Sequence, residues 1–442
     1  MRIAQDGEIA QVGEVTGEKA MSGRLLGTAD IARHCGVTTE TVVSWIKSGK
    51  LNACSTPGGR YRVAARDCVE FFTEYGMPVP EDWIEYDHTS DQQVDEENSR
   101  MDQLVLPKAG LPRLVEKLRK SYRVFGPTPR GNSSAFVEIE DIAELQLDYT
   151  TTILPPKKFV LPPREELLAF NTETSDATEP EPENEPVAVL GIHPCDMQGI
   201  LRLDFVFRRG LAESNYLDRR ERMLFIGVSC NPDESCFCSA VGTNEFNEGF
   251  DLFLTDIGQS YLVNILTERG RDAVSGLAMK AADDIDFSEA AKARGRCSKH
   301  AGGEMRPSAS TLPLLAKDAE ELDLWDDVGK RCLSCGTCNL VCPTCYCFDV
   351  RDELELDLKS GTRSRFWDSC QLDEFAEVAG GESFREKRSN RQKHRFNRKF
   401  RYLAGEYGAP FCVGCGRCIR QCVAKISILE TANDLEAAVA SL

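Results

Sequence analysis

Apolar positions in residues 24–77 recur at helical spacing around a short break. In "GTADIARHCGVTTETVVSWIKSGKL" and the residue pair before it, Leu25, Ile31, Ala32, Val37, Val42, Trp45 and Ile46 are spaced as the shared core of two short helices. "CGV" supplies the turn between them, and Thr38 or Thr39 can cap the second helix. The pattern changes after the acidic, proline-flanked stretch at 78–100, which reads as a linker. Over 101–320 the short apolar runs "SAFVEI", "VAVLGI", "MLFIGVSC" and "DLFLTDIG" predict buried strands. They alternate with helical patterns such as "GLPRLVEKLRKSYRVF". That alternation predicts an α/β domain. Within it, "NTETSDATEPEPENEP" (Asn171 to Pro186) is too acidic and proline-rich to pack and reads as a mobile surface insertion. A cysteine-rich domain follows at 321–430, and "ETANDLEAAVASL" predicts a short helix within a C-terminal tail at 431–442.

The fold class expected is therefore multidomain, α/β and α+β, at 442 residues too long for one small core. No run of about 18 apolar residues is present, so no membrane-spanning helix is expected. Residues 1–23 lack a basic start and an apolar stretch. They read as a polar tail rather than a secretory signal, with Met21 an alternative start. A cytoplasmic location follows. The net charge of −18 argues against a protein that simply coats nucleic acid, although a local DNA-binding patch is compatible with it.

Nineteen cysteines change the picture most. They bunch at metal-ligand spacings on a chain without an export signal, so metal is favoured over disulfides. Cys332, Cys335, Cys338 and Cys342 form C-x2-C-x2-C-x3-C followed by Pro343, and Cys412, Cys415, Cys418 and Cys422 repeat the spacing. This is the bacterial dicluster ferredoxin pattern, in which the fourth cysteine of each run ligates the other cluster. One [4Fe-4S] cluster is thus expected on Cys332, Cys335, Cys338 and Cys422, the other on Cys412, Cys415, Cys418 and Cys342. Zinc sites more commonly use two separated C-x2-C pairs.

About 70 residues separate the two runs, a long insertion for such a domain. They include "REKRSNRQKHRFNRKFR" (Arg385 to Arg401), with nine basic residues against Glu386 alone. Thiolate-bound clusters are anionic, so nearby cations would stabilise their reduced form. A solvated helix face or a dock for an acidic partner explains the run equally well. Cys195, Cys230, Cys236 and Cys238 form a candidate third iron–sulfur site. Cys195 and Cys230 each follow an expected strand, and parallel strands would deliver both to one sheet edge. Buried free cysteine is the competing reading. Cys345, Cys347 and Cys370 lack an evident fourth ligand and are expected to pack around the clusters, and Cys297 is given no role. The prolines of "ILPPKKFVLPPRE" suggest a rigid surface loop or a partner dock. No dinucleotide or P-loop fingerprint and no catalytic triad is found, so flavin and nicotinamide chemistry is expected in a partner. His193, His300 and His394 are scattered and read as structural.

"LDYTTTILPPKKFVLPPREELLAF", "GIHPCDMQGILRLD", "GVSCNPDESCFCSAVGT", "GFDLFLTDIGQSYLV", "CPTCYCFDV" and "RFWDSCQ" occur together in this chain. In that combination residues 101–430 resemble the family of sulfhydrogenase beta subunits and the A-type subunits of anaerobic sulfite reductase, which carries a 4Fe-4S dicluster domain. The resemblance implies an electron-carrying subunit, not itself catalytic. It would sit between a flavin- and NAD(P)-binding partner and a hydrogenase, sulfite reductase or heterodisulfide-reductase-like module.

Residues 24–70 resemble the MerR and excisionase group, with "STPGGRYRV" as the β-wing. This stretch carries seven basic against four acidic residues, unlike the chain as a whole. In a DNA reader Thr39, Thr41 and Ser44 would face the groove, and Arg60 and Arg62 would hold phosphate. Two readings follow: an electron-transfer subunit whose helix-turn-helix docks protein partners, or a redox-sensing regulator that binds DNA. Most of the chain resembles the electron carrier, and no long heptad segment is present to pair two DNA-reading copies. Electron transfer is favoured.

Overall fold

The computed structural model describes residues 25–35, 37–48, 50–51, 53–55, 61–74, 77, 102–180, 185–245, 248–299 and 303–441. The tail at 1–23, the linker at 78–100, Arg60 and His300 lie outside them. The chain divides into two compact units, Met1–Glu97 and Asn98–Leu442.

The first unit holds helices Thr28–Cys35 and Thr39–Lys47, a small sheet and a third helix, Ala65–Glu74. The sheet has the order Leu25–Gly27, Tyr61–Ala64, Cys54–Ser55. Thr38 caps the second helix, its hydroxyl accepting from the Thr41 backbone at 3.3 Å. Ile31, Ala32 and Val42 are buried, joined by Val63, Phe71 and Phe72 from the wing and third helix. Trp45 packs against Phe71 with the rings tilted, their centroids 5.1 Å apart.

The second unit is built on an eight-stranded mixed sheet. Four consecutive strands, Arg123–Arg130, Val187–Ile192, Met223–Val228 and Leu252–Asp256, run parallel. All four apolar runs read as strands lie in this sheet. The helix expected from "GLPRLVEKLRKSYRVF" stops at Leu118, because Arg123 onward pairs with Val187–Val189 instead. Between the two middle strands the chain runs through helices Pro194–Phe207 and Ser214–Arg222, the long crossover that parallel pairing requires.

A second, four-stranded antiparallel sheet is made partly from the insertion between the cysteine runs. Its hairpin, Phe348–Leu354 with Ser360–Trp367, pairs with Arg164–Asn171. Asp176–Thr178 then pairs with Ala169–Asn171, so part of the acidic segment expected as a loose insertion is a strand with exposed side chains. Beyond the hairpin, helix Arg388–Phe400 packs on Leu324–Arg331. Helix Ile428–Val439, which starts two residues before the stretch expected to be helical, buries Ala432 and Leu435 against Trp325, Phe396 and Phe400. Among the described residues no helix is long and apolar enough to cross a membrane.

Candidate metal centres

Each cysteine run folds into the same local shape. Ser334 and Gly414 adopt left-handed φ of 52° and 62°, and Gly336 and Gly416 of 74° and 72°. Each of those glycines starts a four-residue helix, Thr337–Leu340 and Arg417–Arg420, and the two helices pack together. The sharp reversals bend three cysteines around one point and carry the fourth away. Gly414 is also a close approach. A Cβ there would lie 2.5 Å from the Phe237 carbonyl carbon and the Cys238 nitrogen, and the Phe237 N–H donates to the Gly414 carbonyl at 2.8 Å.

Cys332, Cys335, Cys338 and Cys422 line a single cavity. Three come from the first run and one from the second, as the spacing predicts. Cys412, Cys415, Cys418 and Cys342 likewise form a group in which each charge acts on Cys412. Burial pushes Cys338 and Cys415 up to about 12. Without metal Cys338 and Cys415 therefore hold their protons at neutral pH, and binding metal must displace them, whereas hydrogen bonds from Thr337 and Cys345 lower Cys335 and Cys342. Among the described residues no three Cys, His, Asp or Glu side chains are close enough to share one ion. Three thiols on one loop and a fourth from the other run fit the ligand set of a four-iron cluster.

The basic run is not a solvated face. Arg391, Arg395 and Lys399, at helical i, i+4, i+8 spacing, are all buried. Arg395 lines the cavity of the first set, and its positive charge acts on Cys338 of that set and on Cys418 and Cys342 of the second. Its Nε is buried with no hydrogen-bond partner in the chain, a donor left for a bound group. Gln392 Nε2 donates to Cys332 Sγ at 2.9 Å and to Gln371 Oε1 at 2.8 Å. Lys399 Nζ donates to Thr344 Oγ1 at 2.7 Å, beside Cys342 and Cys345.

Lys157 also differs from expectation. It is buried rather than on a surface loop, with Nζ 4.0 Å over the Trp367 ring and donating to the Cys345 carbonyl at 2.7 Å. Burial lowers its pKa to about 8. Cys345, Cys347 and Cys370 line a cavity with Arg395, Arg398 and Lys399, next to the second set. Asn339 Nδ2 donates to Cys370 Sγ at 2.9 Å. His193 is structural in its surroundings, stacked on Tyr149 at 4.1 Å, and burial lowers its pKa to about 3.

At the third site, strands Val187–Ile192 and Met223–Val228 are parallel, so Cys195 and Cys230 leave the same sheet edge as expected. Cys195 and Cys238 pack with Val413 and Cys415. Cys236 is oriented differently, its sulfur accepting from Arg420 Nη2 at 3.1 Å. Cys297, which sequence reasoning passed over, approaches instead, with its sulfur 3.8 Å from that of Cys230. In the helix-turn-helix, Thr39 and Ser44 are exposed, whereas Thr41 is half-buried with its hydroxyl 3.2 Å from that of Thr38. Arg62 is half-buried and its Nη1 lies 3.5 Å from the Tyr61 carbonyl.

Residues 331–426 match the family model described as a 4Fe-4S dicluster domain, and residues 25–75 match one described as a helix-turn-helix domain. The chain is 34% identical over 330 residues to sulfhydrogenase 2 subunit beta of Pyrococcus furiosus, covering 73% of this chain and 95% of that protein. The chain belongs to the sulfhydrogenase beta-subunit family. Within that family it is an iron–sulfur electron-transfer subunit, and it carries a helix-turn-helix ahead of the 4Fe-4S dicluster domain. No solved structure matches it.

Proposed function

We propose that this sulfhydrogenase-beta homologue is the electron relay of a cytoplasmic anaerobic oxidoreductase complex. It would link a flavin- and NAD(P)-binding partner to a hydrogenase, sulfite reductase or heterodisulfide-reductase-like module. Cys332, Cys335, Cys338 and Cys422 would hold one [4Fe-4S] cluster, and Cys412, Cys415, Cys418 and Cys342 the other. Such a cluster, when bound, takes up and releases one electron at a time. The chain's own residues set the conditions. Arg395 supplies a buried positive charge shared by the two sets, favouring the reduced, more negative form of each. Gln392, Asn339 and Lys399 fix the ligand loops. Cys335 is exposed and Leu333 and Val423 are 61% and 76% exposed beside it, so the first set has an apolar face for a partner to cover.

The observation that carries this reading is the convergence of Cys422, from the second run, on Cys332, Cys335 and Cys338. Its test is Cys335→Ala in the native complex. The substitution should abolish electron transfer to the partner and leave the helix-turn-helix folded, and unchanged activity would refute the assignment.

A second reading, a redox-sensing DNA-binding regulator, draws on exposed Thr39 and Ser44 on a capped helix. Purification from the native source separates the two. A co-purifying flavoprotein or disulfide-reductase component supports the relay, with the helix-turn-helix as a protein dock, and specific promoter retention supports the regulator.

A further inference from the structure

We propose that Cys195, Cys230, Cys238 and Cys297 hold a third iron–sulfur cluster of the four-iron type, and that Cys236 is outside its ligand set. This deepens the relay reading and rests on it.

The four thiols come from four separate parts of the chain. Cys195 lies in the first turn of helix Pro194–Phe207, just past strand Val187–Ile192. Cys230 lies two residues past strand Met223–Val228. The parallel register of these strands puts both positions at their carboxyl edge, the place where α/β sheets bind their ligands. Cys297 is on helix Asp284–Lys299, and its sulfur comes within 3.8 Å of Cys230 Sγ. Cys238 sits on the loop fastened to the second cysteine run by the Phe237–Gly414 hydrogen bond, and it packs against Cys195. Cys195, Cys238 and Cys297 are buried and Cys230 is half-buried.

Cys236 has a different partner. Arg420 Nη2 donates to its sulfur, while Arg420 Nε pairs with Asp233 Oδ2 at 2.8 Å. Its carbonyl-side neighbour is also different, the Cys415 backbone oxygen at 3.9 Å. The C-x-C pair is therefore split between two roles. Cys238 faces the other thiols, and Cys236 fastens the loop to Arg420.

One buried ion pair ties the site to the second set. Arg417 is fully buried, with its fork on Asp196, the residue after Cys195. Its positive charge acts on Cys415 of the second set and on Cys195. Arg395 stands in the same relation to the first and second sets. Each neighbouring pair of thiol groups thus has one buried arginine in common. A polar cavity of ≈ 270 Å³, lined in part by Lys108, Asp256 and Arg296, reaches Cys230 and gives the site a route from solvent.

The test uses full-length protein purified anaerobically, with iron, sulfide and zinc quantified and the reduced protein examined by EPR. Three clusters require about twelve irons per chain. Cys297→Ala and Cys230→Ala should each fall to about eight irons while keeping the two dicluster signals, which also report that the variants have folded. Cys236→Ala should stay near twelve, and Cys297→Ala combined with Cys236→Ala should match Cys297→Ala alone. About eight irons in the unmodified protein, or one equivalent of zinc in place of the third cluster, overturns the proposal. So does a Cys236→Ala variant that loses four irons while Cys297→Ala keeps twelve. Those results leave the two-cluster relay standing, whereas a protein without iron would sink both.

Discussion

Arg417, between two cysteines of the second run, forks both terminal guanidinium nitrogens onto the carboxylate of Asp196, with Nη2 2.8 Å from Oδ2. Both side chains are essentially inaccessible, at 1% and 0%. Arg417 Nε also donates to the Thr152 carbonyl at 2.9 Å. One buried ion pair therefore joins the cysteine-rich region to the central sheet.

Breaking that pair strands a buried charge. Asp196→Ala should lower stability by about 3–5 kcal/mol, read as a fall in the denaturant midpoint of the anaerobic protein. Asp352→Ala removes the partner of exposed Arg363 and should leave the midpoint where it is. Equal effects of the two substitutions would count against a structural role for the buried pair.

Arg395 should set potentials rather than hold the fold alone. Arg395→Gln removes a cation shared by the two cysteine sets, so both reduction potentials should become more negative. A shift of about 60 mV or more, one tenfold change for a one-electron couple, is expected. Arg395→Lys should restore part of it. An EPR-monitored redox titration checks this, and potentials unchanged in Arg395→Gln would refute the electrostatic account.

Cluster retention should depend on pH in one direction. Burial raises Cys338 and Cys415 to about 12 once they are free thiols. Loss of metal thus takes up protons and becomes more favourable as pH falls. Bleaching of the visible absorbance by an iron chelator should accelerate from about pH 8 to about pH 6. A rate independent of pH would contradict this.

Gly414 tests the contact between the two cysteine-bearing loops. Gly414→Ala places a methyl against the Phe237 and Cys238 backbone and should cost roughly 1–3 kcal/mol and part of the iron. Gly408→Ala also has a positive φ, 83°, but meets open space. It should lower the melting temperature less and leave the iron content unchanged.

Much of this architecture was legible because its signals are local. Cysteine spacing is enough to pair Cys422 with the first run, and short apolar runs mark four strands of the large sheet. What stayed hidden depends on contacts between distant segments. Lys157 reads as a loop lysine until Trp367 and the Cys345 carbonyl close over it. Asp176–Thr178 is too polar to pack, yet it pairs through its backbone alone. Cys297 sits in a polar stretch, and only the fold brings it to Cys230. One usable signal was present. An arginine inside the second run and an aspartate next to Cys195 are charges placed where only buried partners make sense.

The helix-turn-helix should be dispensable for the metal chemistry. Deleting residues 1–97 should leave iron content and EPR signals intact, since the cysteines of both runs lie in the other compact unit. The same deletion should weaken retention of the partner subunits in pull-downs from the native source. Loss of iron on deletion would contradict the division of labour.

A subunit that relays electrons must have its clusters reduced and reoxidised during turnover. Rapid-freeze EPR of the native complex, mixed with its physiological reductant, tests it most directly. The clusters held by the first set (Cys332, Cys335, Cys338, Cys422) and the second (Cys412, Cys415, Cys418, Cys342) should become reduced at least as fast as the complex turns over. Turnover at full rate with those clusters still oxidised would contradict it.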